Sequence, residues 1–181
     1  MPVDSSVLDG VIEDRPLWLV DLVTAITNSG GTVAAWIISV VLTVTLLRQD
    51  RRRDALLVGG AMLSGWAVMS GLKQLFRRDR PPLPERLVDI STYSFPSGHA
   101  MMTAILACVV GTVVVRLVVL PHVRAAALTL LGLYTLMVGL SRVYLAAHWI
   151  TDVLAGWVFG ALWAAFWILL TRSPARTSTR P

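Results

Sequence analysis

The sequence predicts an all-α, polytopic membrane helix bundle of about five transmembrane helices, preceded by an N-terminal interfacial or re-entrant helix. Three observations carry this. Hydrophobic residues make up 55% of the 181 positions, mean hydropathy is +0.68, and the apolar residues gather in runs close to the roughly 20 residues a helix needs to cross a bilayer. Backbone polar groups have no water to pair with in hydrocarbon, so runs of this length are helical. A chain this short and apolar forms one unit. Residues 1–172 are expected to be a single membrane-embedded domain with 1–30 as its interfacial region. Residues 173–181, polar and containing Pro, Ser, Thr and Arg, are expected to be a disordered tail.

The elements follow in order. Residues 1–14 are acidic and lack a basic region followed by an apolar core and a small-residue cleavage site, so no cleavable signal peptide is expected. Residues 16–28 are apolar but carry Asp21 and stop at Ser29-Gly30-Gly31, which is too short to span and suits an interfacial or re-entrant helix. The spans are expected at 31–47, 55–76, 100–120, 125–140 and 149–170, the first and fourth reaching full length by extension or tilt. Gly59, Gly60, Gly65 and Gly71, with Ala61 and Ser64, suit close helix packing, because no strand or phosphate-loop pattern accompanies them. The tryptophans sit within or near the ends of apolar runs, as interfacial anchors or lipid-facing packing.

Charge sets the orientation. The 48–54 turn holds Arg48, Arg51, Arg52 and Arg53, the 116–124 turn holds Arg116 and Arg124, and the tail holds Arg172, Arg176 and Arg180. Five crossings put these three on one side, which the enrichment of basic residues in cytoplasmic loops identifies as the cytoplasm. The N-terminus, the 77–95 loop and the 141–148 connection then lie outside. This topology accounts for the net charge of +5, and the basic residues lack the aromatic interleaving of a nucleic-acid platform, so no nucleic-acid partner is expected. The one cysteine, Cys108, lies in an apolar run; it builds neither a disulfide framework nor a cysteine metal site, and reads as a small buried hydrophobe.

Ionisable residues at membrane helix ends are costly unless paired, hydrated or used. Three groups stand out: Lys73 to Arg80-Pro81, Phe95-Pro96-Ser97-Gly98-His99, and Ser141-Arg142 through His148 to Asp152. Counting crossings places all three on one face. Lys73, Arg80 and Arg142 can converge there as a cationic cradle for phosphate. Ser97 and the N–H groups of Gly98 and His99, at a helix start, add donors for an anion. His148 and Asp152 are four apart, on one face of a helix, so the carboxylate can hold the proton-bearing ring nitrogen and leave the other free to attack phosphorus. His99, on a different helix, can protonate the departing lipid oxygen.

Each residue also has a plainer reading. A lone histidine in an apolar chain is usually structural or on the surface, as His122 is expected to be; His99 and His148 are set apart by their neighbours. Lys73 is the sole lysine in a chain that otherwise uses arginine; an interfacial anchor is the ordinary reading, and its retention suggests a specific need. Asp152 also suits a helix start as a carboxylate favoured by the dipole. Arg77, Arg78 and Arg86 are expected on a solvated or head-group-contacting face, neutralised by Asp79, Glu85 or Asp89.

The string Lys73-Gln74-Leu75-Phe76-Arg77-Arg78-Asp79-Arg80-Pro81, then Pro96-Ser97-Gly98-His99, then Ser141-Arg142 with five residues to His148 and three more to Asp152, resembles the three ordered signatures of the type 2 phosphatidic acid phosphatase superfamily. Any one alone is weak; three in order are specific. The resemblance covers Lys73 to Asp152. It implies phosphate binding by Lys73, Arg80, Ser97, Gly98 and Arg142, a general acid at His99, a nucleophile at His148 supported by Asp152, and no metal ion or other cofactor. The expected activity is metal-independent hydrolysis of a lipid phosphate or diphosphate through a phosphohistidine in a bacterial cytoplasmic membrane. An outward-facing site favours a polyprenyl mono- or diphosphate, then phosphatidic acid or phosphatidylglycerol phosphate. The rivals are a lipid phosphotransferase and a non-catalytic lipid-phosphate-binding protein.

Overall fold

The computed structural model describes residues 2–172; the expected disordered tail lies outside the described residues. In chain order the elements are α1 (Pro2–Glu13), a one-turn 3-10 helix (Leu17–Leu19), α2 (Val20–Ser29), α3 (Thr32–Arg48), α4 (Arg52–Phe76), α5 (Gly98–Leu117), α6 (Pro121–Tyr144) and α7 (Ile150–Leu170). α4, α5, α6 and α7 are each long and apolar enough to span. Leu17–Ser29 and Thr32–Arg48 form a pair bent by 40°, a broken span or a re-entrant loop, so four or five crossings result. The bend falls at Gly30, where an added Cβ would stand 2.8 Å from Val138 Cγ2 and 3.2 Å from Thr103 Cγ2. The chain turns where its backbone presses on α5 and α6.

α5 is the central helix, packed on α7, α6, α4 and α3. Met101, Ile105 and Val109 on it are fully buried. α7 reaches α5 through Gly156 and Gly160, four apart and so on one face. A Cβ at Gly160 would stand 2.6 Å from the Met101 carbonyl oxygen and 2.8 Å from Ala104 Cβ; one at Gly156 would stand 2.8 Å from the Ser97 carbonyl oxygen. Lipid tails are as apolar as leucine, so close contact between helix backbones is what holds such a pair together. Gly160→Leu is therefore expected to cost about 1–3 kcal/mol, read as a lower unfolding temperature in detergent; an unchanged melt would remove this account of the α5–α7 contact.

On α4, Gly59 faces Thr43, Gly60 faces Trp167, and Gly65 faces Ile105 and Trp163, whereas a Cβ at Gly71 would meet nothing within 4 Å among the described residues. The indole N–H groups of Trp163 and Trp167 donate to Ser64 Oγ at 3.2 and 3.0 Å. These two tryptophans thus join α7 to α4, a role beyond the expected anchoring or lipid-facing packing. An indole N–H in hydrocarbon requires an acceptor, and Ser64 supplies it. α6 turns Leu130, Leu133 and Leu140 outward as an apolar surface suited to lipid. Away from the site, Asp54 pairs with Arg51 at 2.5 Å and Arg116 at 2.6 Å, joining the two basic turns that the crossing count put together.

α1 was not expected as a helix. Its Asp4, Val7, Leu8 and Val11 follow the i, i+3, i+4, i+7 pattern of one helical face, and Asp4 and Leu8 are buried. Val7 and Val11 pack against a small cluster of Ala100, Val143 and Val153, so α1 is laid across the ends of α6 and α7.

Candidate active site

Lys73 lies in the last turn of α4, and the chain leaves that helix at Arg77, whose φ of 44° is left-handed. The following loop folds back under both cations. Lys73 Nζ donates to the carbonyls of Tyr93 at 2.6 Å and Ser94 at 3.4 Å. Arg80 donates from Nε to the Thr92 carbonyl at 2.7 Å, from Nη2 to Thr92 Oγ1 at 3.0 Å and the Tyr93 carbonyl at 3.2 Å, and from Nη1 to the Ala147 carbonyl at 2.6 Å.

α6 ends at Tyr144, and Ala146 adopts φ 51°. That turn lets the N–H groups of Ala147 and His148 both return to the Arg142 carbonyl, at 2.9 and 3.2 Å, and brings the His148 ring inward to 2% exposure. Arg80 Nη1 lies 3.1 Å from His148 Nε2. A guanidinium only donates, so Nε2 holds the lone pair and Nδ1 the proton. Nδ1 faces Ser94 Oγ at 3.3 Å and Asp152 Oδ2 at 3.5 Å. Ser94 Oγ itself donates to Asp152 Oδ2 at 2.5 Å.

His148 and Asp152 do not share a helical face, contrary to expectation. α7 begins at Ile150 with Trp149 as its N-cap, and Asp152 Oδ2 accepts the Trp149 N–H at 3.0 Å. The two side chains meet across the start of a helix, because the residues from 145 to 149 are spent on the turn. Asp152 thus caps α7 and faces the imidazole at once.

Ser97 is the N-cap of α5. Its N–H donates to the Asp152 carbonyl at 3.0 Å, while its Oγ is buried with no hydrogen-bond partner among the described residues. Arg142, 3% exposed, donates from Nη1 to Thr27 Oγ1 at 2.7 Å, and its Nε likewise has no partner among the described residues. A Cβ at Gly98 would lie 3.4 Å from Met69 Sδ and 3.9 Å from Lys73 Cε, which is ordinary van der Waals contact, so the start of α5 lies beside the lysine stem. His99, in the first turn of α5, has Nε2 3.6 Å from where a Cβ on Gly31 would stand.

Burial, followed by the charges of Arg80, Lys73 and Arg142 and by His99, holds the His148 pKa well below the ordinary 6.5. Its neutral form is therefore present at neutral pH. Hydrogen bonds from Arg80 to His148, from Ser94 to Asp152 and from the Ser97 N–H to the Asp152 carbonyl tie these segments together. Arg80 is pushed down to about 10, by burial first and then by Arg86, with Asp152 opposing, and stays cationic.

The eight residues singled out in the sequence are thus gathered at one end of the bundle, and His122 is exposed at the start of α6. Sequence reasoning missed Ser94, Thr27 and Asp4, and misjudged Arg78. Rather than facing head groups, Arg78 donates from Nη1 to Asp152 Oδ1 at 2.6 Å and Thr151 Oγ1 at 2.7 Å, and from Nη2 to Asp4 Oδ2 at 2.7 Å. Asp79, Glu85 and Asp89 are not its partners. The α1 stripe was a signal for Asp4; Ser94 carries none.

A helical membrane bundle with imidazoles and fixed cations gathered at one end is the framework of a membrane lipid phosphatase. The chain belongs to the PAP2 superfamily, whose pattern matches residues 54–175. It is 30% identical over 160 residues to phosphatidylglycerophosphatase B of Bacillus subtilis, covering 88% of this chain and 78% of that protein. It is 30% identical over 157 residues to decaprenylphosphoryl-5-phosphoribose phosphatase of Mycobacterium tuberculosis, covering 85% of this chain and 81% of that one. Among solved structures, a transmembrane PAP2-type phosphatidylglycerolphosphate phosphatase from Bacillus subtilis superposes with a TM-score of 0.87 at 28% identity, covering 96% of this chain and 87% of that one. The protein is a membrane lipid phosphatase, built on apolar helices that embed it in the bilayer.

Proposed function

We propose that the chain hydrolyses a terminal phosphate from a lipid carrier, without a metal ion, through a phosphohistidine on His148. The observation that carries this is the opposed pair of contacts on one imidazole: Arg80 at Nε2 and the Ser94–Asp152 pair at Nδ1. They select the tautomer a nitrogen nucleophile needs. Before substrate arrives, Arg80 occupies the nucleophilic lone pair; a phosphate draws the guanidinium onto its oxygens and frees Nε2. The anion also gives the unpartnered Ser97 Oγ and Arg142 Nε the partners that buried polar atoms require.

Nε2 attacks phosphorus, the bond from phosphorus to the lipid oxygen breaks, and His99 gives its proton to that oxygen. Lys73, Arg80 and Arg142, with Ser97 Oγ and the N–H of Gly98, balance charge on the equatorial oxygens, the work done by Mg²⁺ in many phosphoryl-transfer enzymes. Water then attacks the phosphohistidine, the bond from phosphorus to Nε2 breaks with its electron pair returning to the ring, His99 takes the proton of the water, and inorganic phosphate leaves.

A polyprenyl phosphate or diphosphate is the favoured substrate, supported by the decaprenyl-linked substrate in the name of the mycobacterial relative. Phosphatidylglycerol phosphate is the second reading, favoured by the similarity to the Bacillus enzyme. The site is assigned to the outer face of a bacterial cytoplasmic membrane, with the C-terminus inside and residues 1–172 as one domain. A panel of purified lipid phosphates assayed in detergent with chelator tests this reading. Phosphate release is expected, fastest from the polyprenyl member. Turnover restored only by added metal would end the metal-independent mechanism, and phosphate passed to an added lipid or sugar acceptor would make the protein a transferase. A cysteine in 82–90 labelled by an impermeant reagent in intact cells checks sidedness.

A further inference from the structure

We propose that Asp4 and Arg78 form a strut that fixes the Asp152 carboxylate against His148, making the N-terminal helix α1 part of the catalytic apparatus. This rests on the reading of His148 as nucleophile and Asp152 as its orienting partner.

Asp4 is 1% exposed. Its Oδ2 accepts from Arg78 Nη2 at 2.7 Å, and its Oδ1 accepts the Thr151 N–H at 3.1 Å and the Thr151 hydroxyl at 2.9 Å. Arg78 Nη1 then reaches Asp152 Oδ1 at 2.6 Å. The guanidinium is clamped between two carboxylates, and Asp152 is held on both oxygens: Oδ1 by Arg78, Oδ2 by Ser94 and the Trp149 N–H. Rotation of that carboxyl group, which would withdraw Oδ2 from Nδ1 of His148, breaks hydrogen bonds on both sides. Arg78 also lies over the Trp149 ring, 5.7 Å from its centroid, and the Trp149 indole donates to the Asp79 carbonyl at 2.9 Å. The arginine is thus fixed in position as well as in charge.

The strut is charged at neutral pH. Burial favours the neutral form of Asp4, but the Arg78 and Thr151 hydrogen bonds outweigh it and hold its pKa below the ordinary 3.8. α1 is seated independently by Val7 and Val11 on Val143 and Val153. Just beyond it, Arg15 donates to the carbonyls of Glu85 at 3.1 Å and Tyr144 at 3.3 Å. An exposed, amphipathic helix outside the spans is therefore joined by a two-residue bridge to the carboxylate that orients the nucleophile. The titratable and charged groups around His148 and Asp152 are Asp4 from α1, Arg78 and Arg80 from the loop, Lys73 from α4, His99 from α5 and Arg142 from α6.

The test uses the purified full chain in detergent with dioctanoyl phosphatidic acid as substrate. Arg78→Met is expected to lower kcat on the order of tenfold to a hundredfold with KM unchanged. The acid limb of its kcat profile moves to higher pH, because Asp152 loses a balancing cation and takes up a proton sooner. Arg78→Lys keeps the charge and returns the limb toward its wild-type position. Asp4→Asn lowers kcat less and does not raise the limb, since it removes a negative charge; its effect is one of position. The double variant Asp4→Asn with Arg78→Met is no slower than Arg78→Met alone, because the two act in series. Wild-type kcat and limb in both single variants, or losses confined to KM or to the melting temperature, overturn the strut. His148→Ala in the same assay separates the two ideas: if it is inactive while the strut variants are normal, only the strut fails, and if it turns over, the phosphohistidine reading fails.

Discussion

His148→Ala is expected to abolish lipid phosphate hydrolysis, with a loss in kcat on the order of a millionfold, the scale seen when a covalent nucleophile is removed from a catalytic unit. The loss comes from chemistry and not from folding. His148 lies in the α6–α7 connection, outside both helices, and its side-chain polar contacts among the described residues are with Arg80, Ser94 and Asp152. The α5–α7 contact at Gly156 and Gly160 does not involve it. The variant should insert, purify and melt close to wild type while its cationic cradle still binds lipid phosphate. Quenching the wild-type protein during turnover of a radiolabelled substrate should trap a base-stable, acid-labile phosphoprotein, as a phosphorus–nitrogen bond requires, and the variant should yield none. Turnover at the wild-type rate in a preparation cleared of contaminating phosphatase, or undiminished labelling, would remove His148 as the nucleophile.

The helices and the cluster were largely legible in the sequence because each depends on a local signal. Apolar runs mark spans wherever lipid is the solvent, and the expected 55–76 and 149–170 lie close to α4 and α7. The run at 125–140 falls short of α6, Pro121–Tyr144. Its ends carry His122, Arg124 and Arg142, which interrupt hydropathy without interrupting the helix. Ordered spacings brought forward Lys73, Arg80, Ser97, Gly98, His99, Arg142, His148 and Asp152, and crossing parity put them at one end. What escaped is what tertiary approach alone creates. Ser94 meets Asp152 across 58 residues, and Arg78 meets Asp4 across 74. No period or spacing marks such pairs, and an arginine between two motif positions reads as surface until a buried carboxylate is found opposite it. The placement of His148 outside α7 was hidden for a related reason: a separation of four is equally compatible with one helical face and with a turn that ends at an N-cap.

Asp152→Asn carries the second large effect, and the hydrogen-bond inventory decides its sign. The carboxylate accepts at Oδ1 from Arg78, and at Oδ2 from Ser94 and the Trp149 N–H, and Oδ2 also faces His148 Nδ1. Asparagine has one accepting oxygen and one donating nitrogen. If its oxygen replaces Oδ2, the amide N–H₂ points at the Arg78 guanidinium, donor against donor. If its oxygen turns to Arg78, the N–H₂ meets the Trp149 N–H and offers a proton to Nδ1, which then becomes the acceptor and moves the ring proton to Nε2. A protonated Nε2 cannot attack phosphorus, and it also opposes Arg80. Loss of the correct tautomer in a comparable acid–histidine pair costs about ten-thousandfold in kcat, and a drop of that size is expected here. KM should change little, since Lys73, Arg80 and Arg142 remain. The weakened cap on α7 should cost about 0.5–2 kcal/mol of stability, too little to account for the rate. Nitrogen chemical shifts of the His148 ring distinguish the cause, showing the proton at Nδ1 in the wild type and at Nε2 in the variant. Full activity in Asp152→Asn, or a loss lying wholly in KM, would leave the carboxylate as a helix cap alone and detach it from the chemistry.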